Sequence, residues 1–310
     1  MTRKLTVAAA QMGPVQKADT RTDVVERLIA MLRSSAQRGA QFIGFPELAL
    51  TTFFPRWHVP LPAAEHYYET EMPGPETKPL FDEALRLGVG FGLGYALRTP
   101  SGNHYNVYQM VAADGSTIGV FRKVHIPGHE EHEPWREFQH AERHYFEPGN
   151  DFPVWRAFGG IVGAAICNDR RWPETYRVMG LQGVELIVIG YNTPLSYAPD
   201  PTQNPLASFH NALVLQAGAY QNGAYVMGVA KGGFEEGVES LAHSMIVAPS
   251  GQIIAQALTT DDEVIVAELD LDFCANYKQT LFDFDRYRIP AAYRRITEQR
   301  GVVRPPEQRA

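Results

Sequence analysis

Short apolar runs recur along this 310-residue chain, and three of them end in a residue that can do chemistry. Residues 5–10, 89–97, 161–166, 186–189 and 225–230 have the length of buried strands, far below the roughly 20 residues of a membrane span. Segments of helical periodicity lie between them. Val24, Leu28, Met31, Leu32 and Ala36 form one stripe, with Thr20 or Thr22 as the N-cap and Gly39 as the stop. Residues 79–87, 173–181 and 207–221 read as further helices. Asp114-Gly115 predicts a hairpin between 105–112 and 117–122, and Pro249-Ser250-Gly251 turns the chain between 244–248 and 252–257. Residues 263–269 supply a last strand. This alternation predicts an α/β fold in which helices cover sheets that also hold antiparallel pairs. Periodicity alone does not separate two stacked sheets from one.

The chemistry gathers at three strand ends. Cys167 follows the apolar run 161–166 and opens Cys167-Asn168-Asp169-Arg170-Arg171-Trp172-Pro173-Glu174. A thiol between a strand and a helix start meets unpaired backbone N–H groups, which favour a thiolate and an oxyanion. The alternative is a buried cysteine acting as a small hydrophobe; the charges behind Cys167 argue against it. A nucleophile needs a base and a stabiliser of negative charge. Residues 41–47 end in Pro46-Glu47, and 117–125 end in Arg122-Lys123-Val124-His125. Glu47 is thus a candidate general base. Lys123 is a candidate oxyanion cation that also lowers the thiol pKa. Arg170 and Arg171 are suited to grip a carboxylate bidentately, unless one anchors Asp169 or Glu174 instead. Asn192 and Thr193, after the strand at 186–189, are candidate hydrogen-bonders in a pocket.

Phe45-Pro46-Glu47, Arg122-Lys123-Val124-His125 and the run from Cys167 to Glu174 resemble the three catalytic blocks of the nitrilase, or carbon–nitrogen hydrolase, superfamily. The match runs from about residue 5 to about residue 290. The continuation after Cys167, with residues 45–57, 145–149, 190–194 and 216–223, is similar to the branch that hydrolyses N-carbamoyl-D-amino acids. The resemblance implies a four-layer α-β-β-α sandwich whose subunits pair through helices. It implies a covalent cysteine mechanism with Glu47, Lys123 and Cys167, with Glu142 as a second glutamate beside the lysine. The Asn168 backbone N–H becomes the second oxyanion donor, and His129 and His140 orient substrate or neighbouring acids. The D preference rests on the resemblance alone. Rival readings are another amidase of the superfamily acting on substrates without a carboxylate, and a binding protein that keeps the pocket without turnover.

Composition bounds the rest. A net charge of −7 with no basic run excludes a nucleic-acid backbone as the expected partner. Two cysteines, Cys167 and Cys274, make no disulfide framework, and a reduced cytoplasm suits a thiol nucleophile. Cys274 lacks charged activators and reads as structural. The stretch 126–150 is a long polar loop holding His129, His132, His140 and His144. The spacing of His129, His140, His144 and His210 fits no standard zinc pattern, so neither metal nor cofactor is expected. Residues 1–275 form one expected domain. The polar tail 276–310 is expected to pack on a neighbouring subunit of a homo-oligomer, a tetramer before a dimer. The expected ligand is a small N-carbamoyl amino acid, with no membrane partner.

Overall fold

Strand Lys4–Gln11 is buried on both faces, and that sets the layering. Leu5, Val7 and Ala9 point into one apolar core, while Ala8 and Ala10 point into another, as the two-residue period of a strand requires. The computed structural model describes residues 2–307. In it Lys4–Gln11 pairs antiparallel with Glu263–Asp270 and parallel with Phe42–Gly44. The sheet continues through Gly90–Arg98, His104–Val111 and Thr117–Arg122. A second sheet runs in the order Ile253–Gln256, Met245–Val247, Tyr225–Ala230, Leu186–Tyr191, Gly160–Ile166, Val154–Ala157.

The first core fills the space between the sheets, joining Val7 and Ala9 to Val162, Ile187 and Val229, and it continues onto Tyr176, Met179, Leu215 and Ala219 of helices Pro173–Leu181 and Ala207–Asn222. The second joins the far face of the first sheet to Val24, Leu28, Leu32, Leu80 and Ala84 of helices Arg21–Gln37 and Lys78–Leu87. The result is the four-layer α-β-β-α sandwich. Thr20 caps the first helix in a reciprocal box with Asp23, as expected of a short hydroxyl side chain at that place. Left-handed Gly88 closes the second.

Three segments depart from the periodic reading. The run 41–47 is a strand only over Phe42–Gly44 and then swings out as a loop that carries Glu47. A 3₁₀ turn, Cys167–Arg171, intervenes between strand Gly160–Ile166 and helix Pro173–Leu181, so Cys167 does not stand at an α-helix N-terminus. Gly232–Glu235 and Val238–Leu241 form a hairpin that glycine- and glutamate-rich sequence conceals. Backbone bonds hold it to the neighbouring loop: Leu195 N–H donates to Glu239 O, and Leu241 N–H to Thr193 O. Helix Phe273–Lys278 brings Cys274 into the first core, and beyond it Leu281, Tyr287, Ile289 and Ile296 are exposed. Among the described residues no helix is long and apolar enough to cross a membrane.

Candidate active site

Glu47, Lys123 and Cys167 meet where the strand ends of both sheets converge. The Glu47 loop lies directly on two strands. A Cβ on Gly94 would sit 2.5 Å from Pro46 O, and one on Gly190 would sit 2.8 Å from Glu47 N, so only glycine admits the loop at these two positions. Glu47 is fully buried. Its Oε1 accepts from Lys123 Nζ at 2.7 Å and from Asn106 Nδ2 at 2.7 Å, and its Oε2 accepts from Asn192 N at 2.9 Å. A carboxylate offers about four acceptor positions, so one remains for a proton. Lys123 Nζ also donates to Glu142 Oε2, whose other oxygen lies 3.0 Å from His140 Nε2. An ammonium has three N–H groups, so one remains for an oxyanion.

Burial opposes the charge on Lys123, but Glu142 and Glu47 outweigh it and hold the ammonium above the ordinary lysine range. Burial likewise opposes the charge on Glu142, and Lys123 with His140 reverses the balance, keeping this carboxyl below its usual value. Cys167 behaves otherwise than its sequence predicts. Burial and the Glu47 carboxylate push its thiol up, against the pull of Lys123 and Arg170. This environment favours the thiol over a standing thiolate, and Glu47 is the candidate to take its proton. Cys167 adopts a left-handed φ of 45°, a strained conformation for a residue with a Cβ, as found where side chains are held for function. Asp169 fastens this turn: Oδ2 accepts from Ile166 N, and Oδ1 accepts from His125 N and lies 2.8 Å from His125 Nδ1.

Cys167 opens onto a cavity of about 710 Å³ that is also lined by Asn168, Arg171, Asn192, Thr193, His129 and His140. Residues 6–279 match the carbon-nitrogen hydrolase family. The chain belongs to that family. This carbon–nitrogen hydrolase is 28% identical over 285 residues to N-carbamoylputrescine amidase of Solanum lycopersicum, an alignment covering 87% of each chain. It is 26% identical over 289 residues to omega-amidase NIT2-A of Xenopus laevis, covering 90% of this chain and 92% of the relative. The crystal structure of a carbon-nitrogen hydrolase from Helicobacter pylori G27 superposes with a TM-score of 0.82 at 20% identity, over 96% of this chain and 99% of that one. Membership makes the protein a hydrolase of amide or carbamoyl carbon–nitrogen bonds.

The sequence-derived substrate residues of this hydrolase separate into two groups. Arg170 does not line the cavity of Cys167. It is buried, and its guanidinium donates to Cys167 O at 2.7 Å, Asn211 Oδ1 at 2.9 Å and Thr193 Oγ1 at 3.0 Å. These neutral partners, not Asp169 or Glu174, engage it. Arg171 lines the cavity and has no acidic partner among the described residues. Thr193 Oγ1 lies 3.6 Å from Cys167 Sγ, and Asn168 Nδ2 donates to His125 O at 3.0 Å. His129 accepts from His140 N at 3.1 Å. His144 turns away to Val59 O, while His210 lines the cavity. Among the described residues no three His, Cys, Asp or Glu side chains gather to hold a metal. Cys274 is buried, and that burial pushes its thiol up to about 12.

Sequence reasoning missed Asn106, Asp169, Arg56 and Ser240. Asn106 had a signal: it shares a strand face with Tyr108 and Met110, so a polar residue interrupts an apolar face. Arg56 follows Phe53-Phe54-Pro55 and is 3% exposed, a cation inside an apolar run.

Proposed function

We propose that this protein is an N-carbamoyl-D-amino acid amidohydrolase, and the observation that carries the reading is the Arg171 guanidinium on the cavity of Cys167, which has no acidic partner among the described residues. A guanidinium without a carboxylate partner suits the carboxylate of an N-carbamoyl amino acid. The D preference follows the resemblance of the run from Cys167 to Glu174 to that branch of the family. Glu47 takes the thiol proton as Cys167 Sγ bonds to the ureido carbon. Lys123 and the Asn168 N–H hold the oxyanion. The carbon–nitrogen bond breaks, and the amine leaves with the proton from Glu47. Water, deprotonated by Glu47, then cleaves the thioester-like intermediate, so that D-amino acid, carbon dioxide and ammonia are the net products. Glu142 holds Lys123 in place and keeps it charged.

Glu137 favours a second reading. It lines the same cavity with no cationic partner among the described residues, and a carboxylate there suits an ammonium such as that of N-carbamoylputrescine. Ammonia release from matched N-carbamoyl-D- and L-amino acids and from N-carbamoylputrescine separates the two. The first reading expects the D series to be preferred over both others by roughly tenfold or more in kcat/KM. Faster turnover of N-carbamoylputrescine would replace it with the second.

A further inference from the structure

Arg56 reaches the cavity from a second buried charge cluster. Its Nη1 donates to Glu235 Oε1 at 2.7 Å and to Glu235 O at 3.1 Å, and its Nη2 donates to Ser240 Oγ at 3.4 Å. Ser240 is 1% exposed, and its Oγ lies 3.3 Å from Asn192 Oδ1. Chemistry fixes the first bond of this chain, and the orientation of the Asn192 amide fixes the second. A guanidinium can only donate. Ser240 Oγ accepts from Arg56 and, in the orientation the structure records, gives its single proton to Asn192 Oδ1. The Asn192 NH2 group is left over. It has no partner among the described residues although it is buried, and it belongs to a residue 1% exposed that lines the cavity beside Cys167 and Thr193. Buried donors find partners in native structures, and a ligand oxygen is the partner this cavity can receive.

We propose that Arg56 and Ser240 form a polarised hydrogen-bond relay that locks the Asn192 carboxamide with its NH2 group toward the cavity, so that Asn192 donates to an oxygen of the bound ligand. Asn192 is then a recognition residue, and Arg56 and Ser240 are positioning residues that act through it. The relay selects carbonyl or carboxylate oxygen at that point and rejects an amine, which would oppose donor to donor. Glu235 sets the far end: besides Arg56 it accepts from Phe53 N at 2.7 Å, Val15 N at 3.0 Å and Lys231 Nζ at 3.2 Å. At the near end, the backbone N–H of Asn192 donates to Glu47, so one residue meets both the base and the ligand. Only the identity of the ligand oxygen rests on the functional reading above.

Alkylation of Cys167 by iodoacetate tests the relay without reference to a substrate. Ser240→Ala should lower the second-order rate constant of alkylation about tenfold, the loss expected for one hydrogen bond. Ser240→Thr, which keeps the hydroxyl, should restore it. In an Asn192→Ala background, Ser240→Ala should add less than about twofold, because the relay acts only through that amide. An unchanged rate in Ser240→Ala, or multiplicative losses in the double variant, would overturn the proposal; the double-variant comparison decides the matter even if threonine is not accommodated. With N-carbamoyl-D-amino acids, Ser240→Ala should raise KM about tenfold and leave kcat within about twofold. A wild type inactive on these substrates but showing the iodoacetate pattern sinks the functional reading and leaves the relay. Turnover of them with no effect of Ser240→Ala sinks the relay alone.

Discussion

Two lysines are wholly buried in this hydrolase, and their clusters carry opposite excesses of charge. Lys123 sits between two carboxylates, Glu47 and Glu142. Lys231 shares a single carboxylate, Glu235, with Arg56. Burial works against every charge in both places, and the outcome differs with the partners. Lys123 is raised above the ordinary lysine range by its two acids. Lys231 and Arg56 are lowered, because one carboxylate does not compensate the desolvation of two cations. Glu235, despite its own burial, is held low by both. The hydrogen bonds repeat the contrast. Glu235 accepts four, from Phe53 N, Val15 N, Arg56 and Lys231, and has no acceptor position left. Glu47 accepts three and keeps one. The first cluster is equipped to move a proton, and the second is saturated and holds loops together.

The largest expected effects set chemistry against fold. Cys167→Ala and Glu47→Gln should each lower kcat by roughly 10³-fold or more, with little change in melting temperature. Steady-state turnover beside thermal unfolding checks this, and near wild-type turnover in Cys167→Ala would end the covalent mechanism. Glu235→Gln should do the reverse. It leaves two buried cations without their counter-charge, at a cost of about 3–5 kcal/mol of stability near pH 7. The pH dependence follows from the direction of the shift. A carboxyl held below its usual value of 4.5 contributes stability above that pH, and the contribution is lost as pH falls toward the depressed folded value. Glu235→Gln should therefore flatten the acid limb of the stability curve, as read by urea unfolding at stepped pH. An unchanged acid limb would mean that Glu235 is not the lock described.

A finer contrast is that between the neighbours Arg170 and Arg171. Arg171→Gln should lower kcat/KM for carboxylate substrates about ten- to a hundredfold and barely touch their amide analogues. Arg170→Gln should depress both alike, because its bonds hold Cys167 O and Thr193. Equal losses in Arg171→Gln would assign it to loop support. The smallest effect on chemistry is expected farthest from both clusters. We propose that residues 276–310 contact another subunit, with Leu281, Tyr287, Ile289 and Ile296 exposed on the single chain. Truncation after Ile289 should alter the mass seen by light scattering and leave kcat within about twofold. A full-length monomer at micromolar concentration would end that expectation.

Much of the architecture was legible because its signals are local. Apolar runs of strand length, the Thr20 cap, Gly88 and the Asp114-Gly115 turn act over a few residues and appear where the sequence predicts them. The layering was not legible in periodicity, since a strand buried on both faces looks the same against one sheet or two; the family resemblance supplied it. The hairpin Gly232–Glu235 with Val238–Leu241 was missed for a related reason: what holds it is backbone bonding to residues 193–195, not a pattern of its own.

The chain alone determined which groups are the candidates for the chemistry. A thiol, a carboxylate and an ammonium at the ends of three apolar runs are a property of the order of residues, and the fold brings all three to one place. The tertiary structure alone decided their states. It buried Cys167 near Glu47, and both push the thiol up, against the sequence expectation of a depressed thiol. It spent Arg170 on neutral partners and left Arg171 for the cavity. It joined Arg56 to Ser240 across 184 residues of chain. Burial and hydrogen-bond direction depend on which distant groups arrive at the same point, and no local pattern encodes that.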